Sequence, residues 1–138
     1  MSTPGFVLDT RLAADTRAVG QLPLCDVLLM NDTRFPWLVL VPRRTGLVEI
    51  ADLPESAQIE LWQEVNAAAA ALRSVAPFDK LNIGALGNIV RQLHVHVVGR
   101  REGDAAWPGP VWGSGPAHSY DDEDRDALLG ELRNALRI

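Results

Sequence analysis

The chain has a single cysteine, Cys25, among its 138 residues. One thiol cannot build a disulfide framework, which suits a reducing compartment, and Cys25 lies in an apolar run where it is expected to be a small core residue. The sequence also lacks an apolar run near the roughly 18 residues of a membrane span, and a charged N-terminal segment followed by an apolar stretch. We therefore expect a soluble cytoplasmic protein with no membrane partner.

Basic side chains are fewer than acidic ones, 13 against 18, and the formal net charge is -5. A negatively charged chain repels nucleic acid, so we expect no nucleic-acid partner, and any phosphate site must be a local arrangement. Internal repeats and linker-like segments are lacking as well. With 47% hydrophobic residues, the sequence predicts one domain over residues 1–138.

A long helix is indicated in the middle of the sequence. Asp52 is its expected N-cap, Pro54 lies in its first turn, and Pro77 marks its end. A shorter helix is expected within residues 8–22, where helical spacing is mixed with glycine and proline.

A further helix is predicted over about residues 120–137. Ser119 or Asp121 supplies its N-cap, acidic residues fill its first turn, and leucines recur at helical spacing. The segment before it, residues 107–116, has repeated prolines that exclude both helix and sheet. It is predicted to be an extended loop.

Four short runs have the composition of β-strands: 26–30, 37–41, 80–86 and 92–98. Turn-like sequences separate them, so we expect hairpins and an antiparallel sheet. Strands and helices in this order describe an α+β domain whose helices cover one face of the sheet. The other face is then left open for a ligand or a partner.

The run VRQLHVHVVGR, residues 90–100, contains two of the three histidines of the chain. Side chains alternate along a strand, so Gln92, His94 and His96 are expected to share the open face. The leucine and valines between them would face the helices. Two imidazoles and a carboxamide in one row can bind a single ligand group together.

Two alternatives compete with a ligand site on this strand. Polar residues on the open face of a half-solvated sheet need no function. A His-x-His pair followed by a carboxylate also holds a metal in cupin barrels, with Glu102 as the candidate carboxylate. The spacings miss the usual cupin pattern, however, and the third histidine, His118, lies in the proline-rich region.

Residues 92–98 read QLHVHVV, which resembles the signature of the histidine triad (HIT) family, three histidines alternating with apolar residues. Gln92 stands at the place of the first histidine. The family's first hairpin is matched by VLLMNDTRFPWLVLVPRR, its central helix by ADLPESAQIELWQEV, and its catalytic hairpin by LNIGALGNIVRQLHVHVVGR. The resemblance covers roughly residues 24–101.

The resemblance implies a HIT-like fold with a five-stranded antiparallel sheet, helices on one face, and a homodimer formed through a helix and the sheet edge. It implies that His94 attacks the α-phosphate of a nucleotide, while His96 binds phosphate oxygens and assists the leaving group. A neutral imidazole is a competent nucleophile, and at an unperturbed pKa of about 6.5 it is mostly neutral at pH 7. We expect a backbone carbonyl to hold the other ring nitrogen of His94.

Five other residues are candidate phosphate-binding or nucleotide-binding groups by their match to family positions. Asn82 and Asn88 bracket a glycine-containing loop and are suited to phosphate, with a role in turns as the alternative. Asn31 and Asp32 follow a strand where the family places its ribose-binding group, and the choice between them is open. Gln92 completes the set.

Several neighbours of the signature are left outside this candidate site. Arg91, Arg100 and Arg101 flank the strand and are expected to be solvated. Trp107 and Pro108 resemble a pair that reaches toward the partner subunit's site in the phosphoramidase branch of the family. A plain packing role for Trp107 or Trp112 is the alternative.

The leading hypothesis is a hydrolase or transferase that cleaves dinucleoside polyphosphates or nucleoside phosphoramidates through a nucleotidyl-histidine intermediate. This chemistry requires no cofactor, although Mg²⁺ can accompany a polyphosphate substrate. The rival is a nucleotide-binding or sensing module with little turnover, because Gln92 does not titrate and Trp37 stands where the family's polyphosphate hydrolases carry a histidine. Processing of nucleic-acid ends is disfavoured by the negative charge.

Overall fold

Five strands and three α-helices make up residues 5–138, the part of the chain that the computed structural model describes. Residues 1–4 belong to the predicted domain but lie outside the described residues. The helices are α1 (Thr10–Asp15), α2 (Glu55–Val75) and α3 (Asp122–Leu136), and a 3-10 turn covers Ile50–Asp52. The strands are β1 (Thr16–Gln21), β2 (Cys25–Met30), β3 (Trp37–Pro42), β4 (Lys80–Gly84) and β5 (Val95–Arg100).

The strands form one sheet in the order β1-β2-β3-β5-β4, and all neighbouring strands are antiparallel. The predicted α+β fold with a five-stranded antiparallel sheet is therefore confirmed. β5 lies between β3 and β4, where His96 is directly opposite Val39 on one side and Gly84 on the other. The histidine segment thus occupies an interior strand rather than an edge.

The helix boundaries follow the predicted ones closely, with one correction. α3 begins after Asp121, whose carboxylate accepts the backbone N–H of Asp124 and so acts as the predicted N-cap. Asp52 is not the N-cap of α2, because a 3-10 turn precedes that helix and Pro54 occupies the cap position. The Asp52 carboxylate instead accepts two backbone N–H groups before the turn.

The N-terminal part of the sheet departs from the sequence-based expectation. The helix expected within residues 8–22 is confined to α1, and the remainder forms β1. Only Thr16 and Val19 of β1 are buried, and the pairing with β2 is irregular between Ala18 and Gly20. An edge strand with so few apolar positions carries no alternating pattern that identifies it in the sequence.

Both faces of the sheet are covered by apolar packing. On one face α2 and α3 enclose a core that includes Leu93, Val95 and Val97, as predicted, together with the buried Cys25. The opposite face carries a second cluster, here called the site-face cluster: Leu12, Leu28, Phe35, Trp37, Val39, Val41, Val98 and Val111. The second face is therefore open only in part: side chains of α1 and of the loop after β5 pack over some of it, and the remainder faces a cavity, as expected for a ligand site.

The histidine segment enters the sheet later than predicted. β5 begins at Val95, so Gln92 and His94 precede the strand and do not follow its alternation. The Gln92 side chain is held by the N-terminal segment: it accepts the N–H of Asp9 at 2.9 Å and donates to the carbonyl of Val7 at 2.9 Å. These contacts tie the chain just before His94 to the N-terminal segment.

Arg100, at the end of β5, is buried rather than solvated as expected, with 2% of its surface exposed. It donates to both carboxylate oxygens of Asp104 at 2.8 Å and to the side-chain oxygen of Asn82 at 3.0 Å. Its guanidinium lies 5.5 Å from the ring centre of Phe35 and 5.6 Å from that of Trp107. Arg100 therefore fixes the loop that follows β5 against the sheet.

No helix in the described range, residues 5–138, is long and apolar enough to cross a membrane.

The Arg100–Asp104 pair makes stability depend on pH. Hydrogen bonds from Arg100 lower the pKa of Asp104 from 3.8 to about 2. Because the folded state holds the carboxylate more strongly than the unfolded state, the stabilisation is present above about pH 4 and is lost as the pH falls toward 2. The shift corresponds to about 2 kcal/mol. We expect Asp104→Asn to remove at least this much from the free energy of unfolding at pH 7, measured by urea denaturation.

The control is Glu102→Gln, which changes an exposed carboxylate in the same loop. It should leave both the stability at pH 7 and its decline between about pH 4 and 2 unchanged. If the free energy of unfolding of Asp104→Asn fell as steeply between about pH 4 and 2 as that of the unmodified protein, the Arg100–Asp104 pair would not be the source of the acid sensitivity.

Candidate active site

A cavity of about 730 Å³ lies on the face of the sheet that carries the site-face cluster. Both His94 and His96 line it, and its walls come from α1, the turn after β2, residues 86–90 and the loop around Trp112. Its volume falls within the range of roughly 300–1,000 Å³ that is usual for small-molecule sites. The sequence-predicted histidines therefore meet at one open cavity large enough for a ligand of nucleotide size.

His94 is held in one tautomer by the backbone just before it. Its Nδ1 lies 2.7 Å from the carbonyl oxygen of Gln92. A carbonyl oxygen can only accept, so Nδ1 carries a hydrogen and, in the neutral ring, Nε2 keeps the lone pair. The expectation that a backbone carbonyl holds this ring is confirmed, and the residue that supplies it is Gln92.

His96 is held in the opposite tautomer by a side chain of the neighbouring strand. The indole Nε1 of Trp37 donates to His96 Nδ1 at 3.1 Å. An indole N–H has no lone pair to accept a hydrogen bond, so Nδ1 of His96 must be unprotonated and its ring hydrogen lies on Nε2. Trp37 is opposite Val98 in the β3–β5 register, and its ring reaches His96 diagonally.

Three aromatic rings surround His96. Its ring centre lies 5.7 Å from that of Trp37, 5.4 Å from that of Trp112 and 4.9 Å from that of His94. Trp112 can approach because Gly84, opposite His96 on β4, has no side chain: a Cβ there would lie 2.9 Å from the indole Cη2. His96 is thereby left with 6% of its surface exposed.

This enclosure keeps His96 neutral. Burial lowers the pKa of His96 from 6.5 to about 4, and the nearby His94 adds a smaller contribution in the same direction. The hydrogen bond from Trp37 also favours the neutral ring, because it uses the lone pair that a proton would occupy. At neutral pH, His96 can offer a ligand only the hydrogen on Nε2.

The two candidates for ribose contact have different environments. Asp32 is 1% exposed, and its carboxylate accepts two nitrogens of the Arg34 guanidinium and the backbone N–H groups of Arg34 and His118. Burial raises the pKa of Asp32, but the hydrogen bonds from Arg34 outweigh it and hold the pKa below its usual value. Asn31 is only half buried, and its side-chain oxygen accepts the N–H of Tyr120. Both residues line the cavity.

Of the three remaining residues predicted to bind phosphate or nucleotide, one lines the cavity and two do not. Asn88 is exposed and lines it. Asn82 lies on β4 but is tied to Arg100, and Gln92 faces the N-terminal segment. Neither the Asn82 nor the Gln92 side chain lines this cavity, although the backbone carbonyl of Gln92 contacts His94.

The sequence analysis treated Trp37 only as a departure from the family pattern and gave Trp112 only a packing role. Both contact His96, and two basic residues, Arg11 of α1 and Arg34 after β2, also line the cavity. The place of Trp37 on a strand next to the histidines was a usable signal. Trp112 and Arg11 gave none, because their position depends on how distant segments fold back over the sheet.

A metal site of the cupin type requires at least a third ligand near the two histidines. Within residues 5–138, no group of three or more His, Cys, Asp or Glu side chains is arranged to hold a metal ion. Glu102, the carboxylate considered in the sequence, is exposed in the loop beyond β5 and does not line the cavity.

Comparison with known proteins agrees with the fold and with the position of the histidines. The model of the HIT domain family matches residues 11–103, about two thirds of the chain. The chain belongs to the histidine triad (HIT) family. Proteins of this family generally bind nucleotides and hydrolyse or transfer them.

Three solved HIT proteins resemble this one over almost their whole length. A histidine triad protein of Sinorhizobium meliloti is 48% identical, with 95% of this chain and 97% of that chain covered and a TM-score of 0.92. One from Bradyrhizobium japonicum is 47% identical, with 96% and 99% covered and a TM-score of 0.93. One from Marinobacter aquaeolei is 46% identical, with 96% of each chain covered and a TM-score of 0.92. No curated protein matches significantly.

The protonation state of His96 in this HIT protein can be measured directly. We expect nitrogen-15 NMR of the histidine rings to show His96 neutral, with its hydrogen on Nε2, down to about pH 4. Since the unfolded chain binds a proton more readily than the folded one between 6.5 and about 4, His96 should also make the fold less stable as the pH falls through this range.

Trp37→Phe is the comparison for this titration, because it keeps an aromatic ring and removes the donor. The titration midpoint of His96 should rise in this variant. A midpoint near 6.5 in the unmodified protein would contradict the assignment of a buried neutral ring.

Proposed function

We propose that the protein cleaves nucleotides at the α-phosphate, acting on dinucleoside polyphosphates or nucleoside phosphoramidates through a nucleotidyl intermediate on His94. The observation that carries this proposal is the 2.7 Å contact between His94 Nδ1 and the Gln92 carbonyl. It leaves Nε2 with a lone pair on a ring that lines a cavity of about 730 Å³. A nitrogen lone pair held in a fixed orientation next to a nucleotide-sized space is what covalent catalysis at phosphorus needs.

The reaction has two displacements at the same phosphorus. The lone pair of His94 Nε2 forms a bond to the α-phosphorus, and the bond to the leaving group breaks with its electron pair remaining on that group. Water then attacks the phosphorus and gives up a proton to the solvent, the N–P bond breaks, and its electron pair returns to Nε2. One difficult displacement by water is replaced by two easier steps, and nucleoside monophosphate is released.

The neighbouring groups have distinct proposed roles. His96 donates from Nε2 to an α-phosphate oxygen, where negative charge increases in the transition state. Asn88 is the amide available for phosphate in the loop before β5. Asn31 contacts the ribose hydroxyls through its side-chain NH₂ group, because the Asn31 oxygen already accepts the N–H of Tyr120 and the Asp32 carboxylate is held by Arg34 and the chain near His118.

No metal is required for the histidine steps, although Mg²⁺ bound to a polyphosphate substrate is compatible with them. A cytoplasmic location and the lack of a nucleic-acid partner remain predictions from composition.

The rival proposal is a nucleotide-binding module with little turnover. It is favoured by one observation: Gln92, at the first position of the signature, is bonded to Val7 and Asp9 and does not line the cavity. A site that only bound nucleotide would have no need for the orientation of His94. The two proposals differ in whether nucleoside monophosphate is released.

The homodimer also remains a prediction. Its support is apolar surface on two elements: Ile59 and Trp62 of α2 are 55% and 46% exposed, and Ile83 of the edge strand β4 is 37% exposed. Sedimentation velocity at micromolar concentration should give twice the mass of the chain, and a monomer would contradict the prediction.

The proposed function is tested by release of adenosine monophosphate from a diadenosine polyphosphate and from adenosine phosphoramidate, each with and without a chelator. His94→Ala should lower turnover of any accepted substrate by about 10³-fold or more, because the nucleophile is removed. Turnover without added metal should survive chelation.

His118→Ala is the matched control, since His118 is an exposed histidine that does not line the cavity. His118→Ala should turn over substrate at the rate of the unmodified protein. Turnover that persisted in folded His94→Ala would exclude the covalent mechanism, and nucleotide binding without release of monophosphate would support the binding module.

A further inference from the structure

Gln92 makes hydrogen bonds through both its side chain and its backbone. The side chain accepts the N–H of Asp9 and donates to the carbonyl of Val7, each at 2.9 Å, while the backbone carbonyl lies 2.7 Å from Nδ1 of His94. A backbone N–H can only donate and a carbonyl can only accept, so these partners fix the orientation of the carboxamide. One residue therefore joins the N-terminal segment, residues 5–9, to the ring of His94.

The carboxamide is suited to this pairing by its shape. Its donor and its acceptor lie side by side, so it can pair with an N–H and a C=O of the same extended segment, as a neighbouring strand does. The two nitrogens of an imidazole point away from each other, so a histidine at position 92 could make only one of these bonds. In this chain the first position of the signature thus binds the chain's own backbone.

The N-terminal segment is a firm attachment point because it is packed on the sheet. Phe6 and Leu8 contact the site-face cluster. The segment continues into α1, where the Asp9 carboxylate accepts the backbone N–H groups of Arg11 and Leu12. Leu12 is buried, and α1 forms a wall of the cavity. The side chain of Gln92 is therefore bound to a part of the chain that is itself fixed beside the histidines.

The carbonyl of Gln92 needs such a hold, because the loop that leads to it is largely exposed. Most of residues 85–91 are exposed, whereas Leu93 is buried and donates its N–H to the carbonyl of Leu47 at 3.0 Å. The peptide group that carries the Gln92 carbonyl is thus held at its N–H by Leu47. On the other side of the carbonyl, the Gln92 side chain supplies the hold.

We propose that Gln92 is a positioning residue for the reaction of His94: by binding the N-terminal segment, its side chain keeps its own carbonyl against Nδ1 and so keeps the lone pair of Nε2 directed at the substrate. This inference rests on the proposed function, because it assumes attack by His94. The Gln92 side chain does not line the cavity of about 730 Å³, so it acts through His94 and not on the substrate.

Gln92→Leu tests this role, because it keeps the backbone carbonyl and removes both bonds to the N-terminal segment. A displacement of about 1 Å can cost about 10²-fold in rate, so kcat for a diadenosine polyphosphate should fall by about 10- to 10²-fold. KM should change little, because Leu12 still anchors α1. Nitrogen-15 NMR at about pH 8 should show the hydrogen of His94 distributed over both ring nitrogens, rather than on Nδ1 as in the unmodified protein.

Gln92→Glu adds a pH profile that a loss of packing would not produce. An ionised carboxylate can still accept the N–H of Asp9, but it repels the carbonyl of Val7. A protonated carboxyl group has one donor and one acceptor, so it can replace the carboxamide. This variant should therefore regain the function of Gln92 when its new carboxyl group is protonated.

The charges around position 92 have both signs. Asp9, and Glu49 across a pocket that Gln92 and His94 also line, favour protonation of the new carboxyl group, while the exposed Arg91 opposes it. The ratio of kcat for Gln92→Glu to that of the unmodified protein should rise as the pH falls from about 8 to 5. Protonation of His94 slows both proteins and cancels in the ratio. The same ratio for Gln92→Leu should be constant.

Gln58→Leu is the matched control. The Gln58 carboxamide on α2 also holds backbone, donating to the carbonyl of Leu53 at 2.9 Å, and it does not line the cavity. The change removes a carboxamide of the same kind at a place remote from His94 along the chain. It should leave kcat, KM and the His94 ring as they are in the unmodified protein.

The outcomes separate this inference from the function on which it rests. An unchanged kcat in Gln92→Leu, equal losses in Gln92→Leu and Gln58→Leu, or a constant ratio for Gln92→Glu overturns the role of Gln92 while leaving catalysis by His94 intact. Turnover that does not depend on His94, or no release of nucleoside monophosphate by the unmodified protein, overturns the proposed function and this inference with it.

Discussion

The candidate site depends on a hydrogen bond between His94 and the carbonyl of the residue two positions before it, at 2.7 Å. That bond is possible because the chain has not yet entered β5 at Gln92. The Gln92 side chain is occupied by the backbone of Val7 and Asp9, so the N-terminal segment fixes the curve of the chain just before the first histidine. Gln92 lacks the imidazole ring of the first position of the family signature. Its backbone carbonyl nevertheless sets the orientation of the proposed nucleophile, His94.

The second constraint is the burial of the sheet face that carries the histidines. The site-face cluster, α1 and the Trp112 loop turn this face into an interior wall. Arg100 and Asp104 fix the start of the loop that supplies Trp112. Exclusion of water strengthens each hydrogen bond there and raises the cost of charge on His96. Stability of the loop and neutrality of the histidine are thus linked by the same packing.

Much of the fold was predictable because its signals are local. The apolar spacing and end signals of α2, the N-cap Asp121 of α3, and the valines of β5 each identify an element from nearby residues. The site was predictable in part for the same reason: His94 and His96 are neighbours in sequence. The features that could not be predicted have weak local signals or depend on contacts between distant residues. β1 has few apolar residues, the positions of Gln92 and Arg100 depend on contacts across 83 and 18 residues, and Trp112 reaches His96 only when a distant loop folds back.

The central claim is that Nε2 of His94, and no other atom, forms the covalent bond to phosphorus. The direct measurement is to quench the protein during turnover of a diadenosine polyphosphate, isolate the modified peptide, and identify by NMR the ring nitrogen that carries the nucleotidyl group. The account predicts attachment at Nε2 of His94. Attachment at Nδ1, attachment at His96, or turnover without any covalent intermediate would contradict it.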